Sequence, residues 1–296
     1  MFLVCLAWAL NTLISSIVIV RYLVPPLFYA LVRFGFAALL LAGYLRPLPR
    51  PAGKMLLAGF LLGGGHFGLL FIGLLTVSAS GAAIVLQLII PTTTLLSIVF
   101  LGERLGRQRA IGIAIAFAGV LVVLFESAHR QGGAVLQSNV GQFWLQASVL
   151  AISSGSVLLK GVETVAPLRI QAWVALASIV PLLLGSAWLE ERQIASALAT
   201  GWVFGAAMLF SVIVVTLLAT TAFYGLVQRY EGNLITSLML MMPIQTVALG
   251  VLFNGDHLDL GTSLGALLTI AGVVTILCVA RVASPGPALA NASILS

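Results

Sequence analysis

Residues 87–105 read QLIIPTTTLLSIVFLGERL, and residues 239–258 read MLMMPIQTVALGVLFNGDHL. Each stretch is an apolar run that is broken by one proline and closed by a glycine, an acidic residue and a leucine. Pro91 and Pro243 lie 152 positions apart, and the closing glycines lie 153 apart. The helix predicted after each stretch keeps the offset of 153, down to an Ala-Gly-Val triplet. The sequence therefore predicts an internal repeat.

The composition indicates a membrane protein. Hydrophobic residues make up 61% of the chain and charged residues 7%, whereas a soluble domain carries about 25% charged residues. The 48 positions from 55 to 102 hold no Asp, Glu, Lys or Arg, and one membrane span needs about 20 residues. In lipid each span must be helical, because backbone groups have no water to bond. We therefore expect an all-α integral membrane protein.

Charged and turn residues divide the chain into ten apolar runs, which predict ten transmembrane helices. Five runs lie on each side of a polar segment near the middle of the chain. The predicted organisation is a first five-helix repeat (1–126), a connecting loop (127–142), a second five-helix repeat (143–281) and a cytoplasmic tail (282–296). The runs are Leu3–Val20, Pro26–Leu45, Met55–Leu75, Gly81–Phe100, Ala110–Phe125, Phe143–Leu159, Ile170–Leu189, Val203–Val227, Leu234–Phe253 and Leu264–Ala280.

The basic residues orient these helices. Ten Lys and Arg fall on the side that holds both termini and three on the other, so both termini are predicted to be cytoplasmic. Five spans per half is an odd number, so the two halves would insert in opposite directions. Inverted repeats are typical of secondary transporters, whose substrate site lies at the repeat interface near the midplane.

Three further motifs carry a family resemblance: WALNTLISS (8–16), PPLFYALVRFGFAALLL (25–41) and QRYEG (228–232). Together with the inverted repeat they resemble the drug/metabolite transporter superfamily, in particular its EamA-type exporters, over essentially the whole chain. Ala9 stands where that family usually has glycine. The resemblance implies export of small metabolites, most often amino acids, across the bacterial inner membrane.

The two proline stretches supply the first candidate site residues. Gln87, Pro91 and Thr94 share one helix face by their spacing, and Pro243 and Thr246 repeat the last two positions. A proline leaves one backbone carbonyl without its helical partner. The prolines are therefore either hinges that flank a substrate cavity or ordinary kinks satisfied by neighbouring helices.

The other candidates are polar or aromatic residues within predicted spans. His66 either binds substrate or a coupling proton or bonds to a neighbouring helix. Arg33 either binds a substrate carboxylate or extends to the membrane interface. The remaining substrate-binding candidates are Trp8, Asn11, Tyr224 and Gln245.

Several functional classes compete. Exporters of drugs or organic cations share the predicted architecture, and a passive channel or an intramembrane enzyme is less favoured. Two distant cysteines form no metal motif, no phosphate-binding loop is present, and the basic residues lie in short loops rather than in a nucleic-acid patch. We expect a transporter without enzymatic activity, cofactor, metal or nucleic acid. Its partners would be a small-molecule substrate and the bilayer, and it would act as a monomer or homodimer.

Overall fold

The structure is a computed structural model, and the part of the chain that it describes is helical and contains no strand. The all-α prediction is thus confirmed for these residues. The described ranges are 1–102, 106–130, 135–163, 166–229, 238–239, 241–255 and 260–283.

Six helices are long and apolar enough to cross a membrane, namely Phe2–Val20, Ala52–Gly73, Ala79–Leu101, Val140–Leu159, Pro167–Leu189 and Trp202–Phe223. The other four have shorter apolar parts. In chain order the helices are α1 (Phe2–Val20), α2 (Pro26–Leu40), α3 (Ala52–Gly73), α4 (Ala79–Leu101), α5 (Arg107–Arg130), α6 (Val135–Leu159), α7 (Pro167–Leu189), α8 (Trp202–Phe223), α9 (Met241–Phe253) and α10 (Leu260–Ala283).

The helices around the middle of the chain extend beyond the predicted spans. The predicted connecting loop is helical over 127–130 and 135–142. Loss of hydropathy marks where an apolar run ends, whereas a helix ends where its backbone bonding ends, and polar residues do not interrupt that bonding. A short helix, Gln193–Thr200, also lies between α7 and α8 and was not predicted.

Helix α4 is interrupted close to its proline. Gln87 and Leu88 form a turn between two helical segments, and their N–H groups bond only three residues back, to the carbonyls of Ile84 and Val85. Pro91 has no N–H to donate to the carbonyl of Gln87, which is four residues earlier. The helix therefore breaks one turn before the proline itself.

Both repeat stretches end in the same backbone conformation. Gly102 closes α4 at φ 67°, and Gly255 follows α9 and its π-helical end at φ 71°. Glycine adopts this left-handed conformation without a steric penalty, and it commonly ends helices in this way. The matched glycines of the sequence are thus matched helix caps.

Helices α5 and α10 make the most extensive helix–helix contact. A Cβ on Gly112 would stand 2.9 Å from the carbonyl oxygen of Gly272, and a Cβ on Gly119 would stand 2.6 Å from that of Gly265. Small residues of this kind let membrane helices approach closely. Gly112 matches Gly265 in the sequence repeat and Gly119 matches Gly272, so each glycine contacts the counterpart of the other.

A carboxylate from the second half holds the start of α2. Glu190, which follows α7, accepts the N–H of Leu27 at 2.6 Å and that of Phe28 at 2.8 Å. The Glu190 Oε2 atom, which accepts the Phe28 N–H, also accepts the Ser186 hydroxyl at 2.8 Å. A negative charge at a helix N-terminus contributes about 1 kcal/mol. This contact ties α2 to α7 and so fixes the position of the side chains farther along α2.

Candidate functional site

A cavity of about 370 Å³ lies among α1–α4 and α6–α9. Cavities that hold small molecules usually measure about 300–1,000 Å³. No described residue of α5 or α10 lines it, because these two helices pack against each other. Most of the described lining side chains are apolar.

Trp8 and Asn11 border the cavity from α1, one helical turn apart. The Trp8 ring packs edge-on against Phe223, with 5.3 Å between ring centroids. The amide oxygen of Asn11 accepts the buried Ser211 hydroxyl of α8 at 2.7 Å. This face of α1 is therefore held by aromatic and polar contacts with α8.

His66 borders the cavity from α3 and is also bonded to α6. Its Nδ1 lies 2.7 Å from the Ser148 hydroxyl and 3.2 Å from the Ser148 carbonyl oxygen. The same hydroxyl donates to the backbone oxygen of His66 at 3.0 Å. Because that proton is used, Nδ1 must be the donor towards Ser148. The contact joins α3 to α6 and fixes the orientation of the ring.

A run of glycines brings α3 against α7. The segment Leu61–Gly65 is π-helical, and within it the N–H of Gly64 donates to the Ser178 hydroxyl at 2.6 Å. A Cβ on Gly64 would stand 3.0 Å from the Ser178 Cβ. The lack of side chains at these positions therefore allows the approach that brings Gln171 and Val174 of α7 to the cavity wall.

Both proline stretches reach the cavity. Gln87 lines it from α4, and Met239 and Pro243 line it from the repeat stretch. Gln87 lies four residues before Pro91, and Met239 lies four residues before Pro243. Each is thus the residue whose carbonyl is deprived of a helical donor by the proline. These two positions face one cavity from the two halves of the chain.

Four other candidates are not among the described residues that line the cavity: Pro91, Thr94, Gln245 and Thr246. The Thr94 and Thr246 hydroxyls donate within their own helices, to the carbonyls of Ile90 and Met242, each at 2.9 Å. The Gln245 amide is buried and has no partner in the described part of the chain. Tyr224 lies in a helix, but its side chain falls outside the described part. The binding roles of these residues remain predictions.

The structure adds residues that the sequence analysis did not single out. Thr216 and Thr220 of α8 line the cavity, as do Thr12 of α1 and Gln171 of α7. The spacing of the two α8 threonines, one helical turn apart, is a signal that the sequence contains. Arg33 also lines the cavity. It is the eighth of 15 residues in α2 and only 4% exposed, so its side chain stays in the interior.

The described residues contain no group of three or more His, Cys, Asp or Glu side chains that could hold a metal ion.

The chain is similar to known proteins over most of its length. A family model described as "EamA-like transporter family" matches residues 1–125 and 139–278. Two relatives, from Salmonella typhimurium and from Escherichia coli, are each named "Probable amino-acid metabolite efflux pump". Both are 27% identical to this chain over 92% of its length and 91% of their own. A solved structure described only as "Crystal structure of protein" shares the fold, with a TM-score of 0.51 at 18% identity, over 95% of this chain and 99% of that one.

Proposed function

The chain belongs to the EamA-like transporter family of the drug/metabolite transporter superfamily, and we propose that it exports amino acids or their derivatives by alternating access. Membership makes it a multi-pass membrane transporter for small molecules, and the family is not one of enzymes. The observation that carries the proposal is the cavity, which Gln87 borders at the break in α4 and which Met239 and Pro243 border from the matched stretch.

We infer ten spans in two inverted five-helix repeats. Six long and four shorter apolar helices support this count, and so does the family model, which matches the chain twice. The matched caps at Gly102 and Gly255 support the repeat. The exchange of glycine contacts between α5 and α10 supports a two-fold relation between the halves.

Two related halves allow two packings of similar energy, one open to each side of the membrane. Interchange requires helices that bend near the cavity, and helices bend sharply at prolines. Pro91 and Pro243 meet this requirement because each cannot donate to the carbonyl four residues earlier, and those residues, Gln87 and Met239, lie at the cavity wall. Each half thus contributes one hinge to the proposed exchange.

The names of the two relatives favour amino-acid metabolites as cargo. The largely apolar wall and the few polar groups of the cavity suit a small molecule with an apolar body. The ten-to-three distribution of Lys and Arg favours cytoplasmic termini. We place the protein in the bacterial inner membrane, with transport directed outward.

Counterflow in proteoliposomes tests this function. Vesicles loaded with one unlabelled amino acid or derivative at a time should transiently accumulate its labelled form when they contain the protein. Protein-free vesicles should not. Only a carrier that alternates with bound substrate gives such exchange, so a channel would equilibrate the label without accumulation. Transport of organic cations alone, or of nothing in a broad panel, would contradict the proposal.

The same vesicles test the role of His66 as a proton-coupling group. An imposed pH gradient should change the rate of wild-type transport if that role exists, and His66→Ala should remove the dependence. If His66→Ala keeps the pH dependence of the wild type, His66 is not the proton-coupling group. Its contact with Ser148 is then structural.

A further inference from the structure

Arg33 is a buried charge at the wall of the cavity. It lies in the middle of α2, is 4% exposed, and borders the cavity together with Phe34 and Phe67. Its guanidinium carbon stands 4.3 Å from the centre of the Phe67 ring. A guanidinium keeps its charge in proteins, and a charge within a membrane span is costly and is usually functional.

Two of the three guanidinium nitrogens of Arg33 make no hydrogen bond within the described protein. Its Nε and Nη1 atoms are buried and have no hydrogen-bond partner among the described residues. The contact with the Phe67 ring engages the face of the guanidinium, whereas its N–H groups point outward in its plane. Buried donors without acceptors are unfavourable, so the site lacks an acceptor.

The described lining of the cavity does not supply a counter-charge, since it contains no Asp or Glu. Three of its neutral polar side chains have partners within the protein. The Asn11 oxygen accepts from Ser211, His66 Nδ1 is bonded to Ser148, and the Thr12 hydroxyl donates to the Trp8 carbonyl. The electrostatic environment of the cavity is therefore set by one positive charge.

We propose that Arg33 is the specificity-determining residue that binds a carboxylate of the cargo, and that the cavity prefers anions to cations. This inference rests on the proposed function. A carboxylate can accept two parallel N–H groups from one guanidinium, which would satisfy the unpartnered donors. The apolar side chains of the cavity wall, which include Leu62, Leu70 and Val174, suit an apolar body.

The positive charge of Arg33 also disfavours cationic cargo. A positive group would meet no carboxylate in the described lining and would be repelled by Arg33 in a region of low dielectric constant. A zwitterionic amino acid would gain the Arg33 contact but would leave its ammonium without a counter-charge. The predicted order of affinity is an N-acylated amino acid first, the free amino acid second and the amino-acid amide last.

Competition in the wild-type protein tests this order without any substitution. N-acetyl-leucine, leucine and leucinamide share a side chain and differ in charge. We expect N-acetyl-leucine to inhibit counterflow of a labelled cargo most strongly and leucinamide most weakly. Equal inhibition by leucinamide and N-acetyl-leucine, or stronger inhibition by leucinamide, would overturn the proposal.

Substitution then assigns the preference to one residue. Arg33→Gln should raise the half-saturation concentration for N-acetyl-leucine about tenfold and remove its advantage over the matched neutral amide, N-acetyl-leucinamide. Arg33→Lys should retain the preference for N-acetyl-leucine over the neutral amide but bind it more weakly. Lysine keeps the positive charge, but it cannot donate two parallel N–H groups to one carboxylate. Arg21→Gln, at an exposed arginine after α1, is the control. An unchanged preference in Arg33→Gln would contradict the assignment.

A binding measurement separates this inference from the proposed function. In detergent, N-acetyl-leucine should raise the unfolding temperature of the wild-type protein and not that of Arg33→Gln. Binding that depends on Arg33 without any transport would contradict the exporter and leave the carboxylate site standing. Transport of cargo with no preference for carboxylates would support the exporter and contradict the carboxylate site at Arg33.

Discussion

Replacing Gly272 with leucine is expected to destabilise the protein strongly. A Cβ at this position would overlap the backbone nitrogen of Ala116 and stand 2.6 Å from the carbonyl oxygen of Gly112. Backbone atoms cannot turn away as the end of a side chain can, so α5 and α10 would have to separate. We expect a loss of about 3 kcal/mol or more, seen as a fall of roughly 10 °C in the unfolding temperature in detergent.

Gly205→Leu is the matched control. Gly205 lies in α8, and a Cβ there would have no atom within 4 Å. The same change should be neutral or slightly stabilising at this site, because leucine favours the helix over glycine. Equal unfolding temperatures for the two variants would show that the close contact between α5 and α10 is not required.

The double variant Pro91→Ala, Pro243→Ala is expected to fold and to transport about 10- to 100-fold more slowly than the wild type. Each alanine supplies the N–H that a regular helix would donate to the carbonyl of Gln87 or Met239. The Gln87 carbonyl at present accepts the Ile90 N–H at the long distance of 3.4 Å. A restored backbone hydrogen bond contributes about 1 kcal/mol, and every 1.4 kcal/mol is a factor of ten. Straight helices would therefore hold the transporter in one of its two packings, and the initial rate of counterflow would measure the loss.

A third proline provides the control for that experiment. Pro181 lies inside α7, is exposed and does not line the cavity. Pro181→Ala should leave the transport rate close to that of the wild type. A double variant as fast as Pro181→Ala would remove the hinge role from the two repeat prolines.

The two proline stretches could be matched in the sequence because each ends in a glycine, and glycine commonly ends a helix. Gly102 and Gly255 occupy matched positions in the sequence, and both adopt the left-handed conformation that favours glycine. The all-helical class followed from hydropathy alone. Trp8, Asn11, His66 and Gln87 line one cavity, and their binding of substrate stays a prediction.

The rest of the site depends on geometry that spacing does not contain. Grouping Gln87 with Thr94 assumed an unbroken helical period, but the turn at Gln87 and Leu88 rotates the second segment of α4 relative to the first. Thr94 then bonds to its own helix. The role of Arg33 depended on where the side chain lies, since one arginine in an apolar run fits both an interior and an interfacial position. Its unpartnered donors become visible only when the neighbouring helices are in place.

Accessibility of one cavity position from the two sides of the membrane tests alternating access most directly. Ala83 lines the cavity and is 3% exposed, so Ala83→Cys, in a chain that also carries Cys5→Ala and Cys278→Ala, adds one small thiol. Val99→Cys, at a position 74% exposed on the outside of α4, is the control that substrate should not affect. We predict that a membrane-impermeant thiol reagent reaches the thiol introduced at position 83 from either side, and that substrate changes the two rates in opposite directions. Reaction from one side only, at a rate that substrate leaves unchanged, would contradict the account.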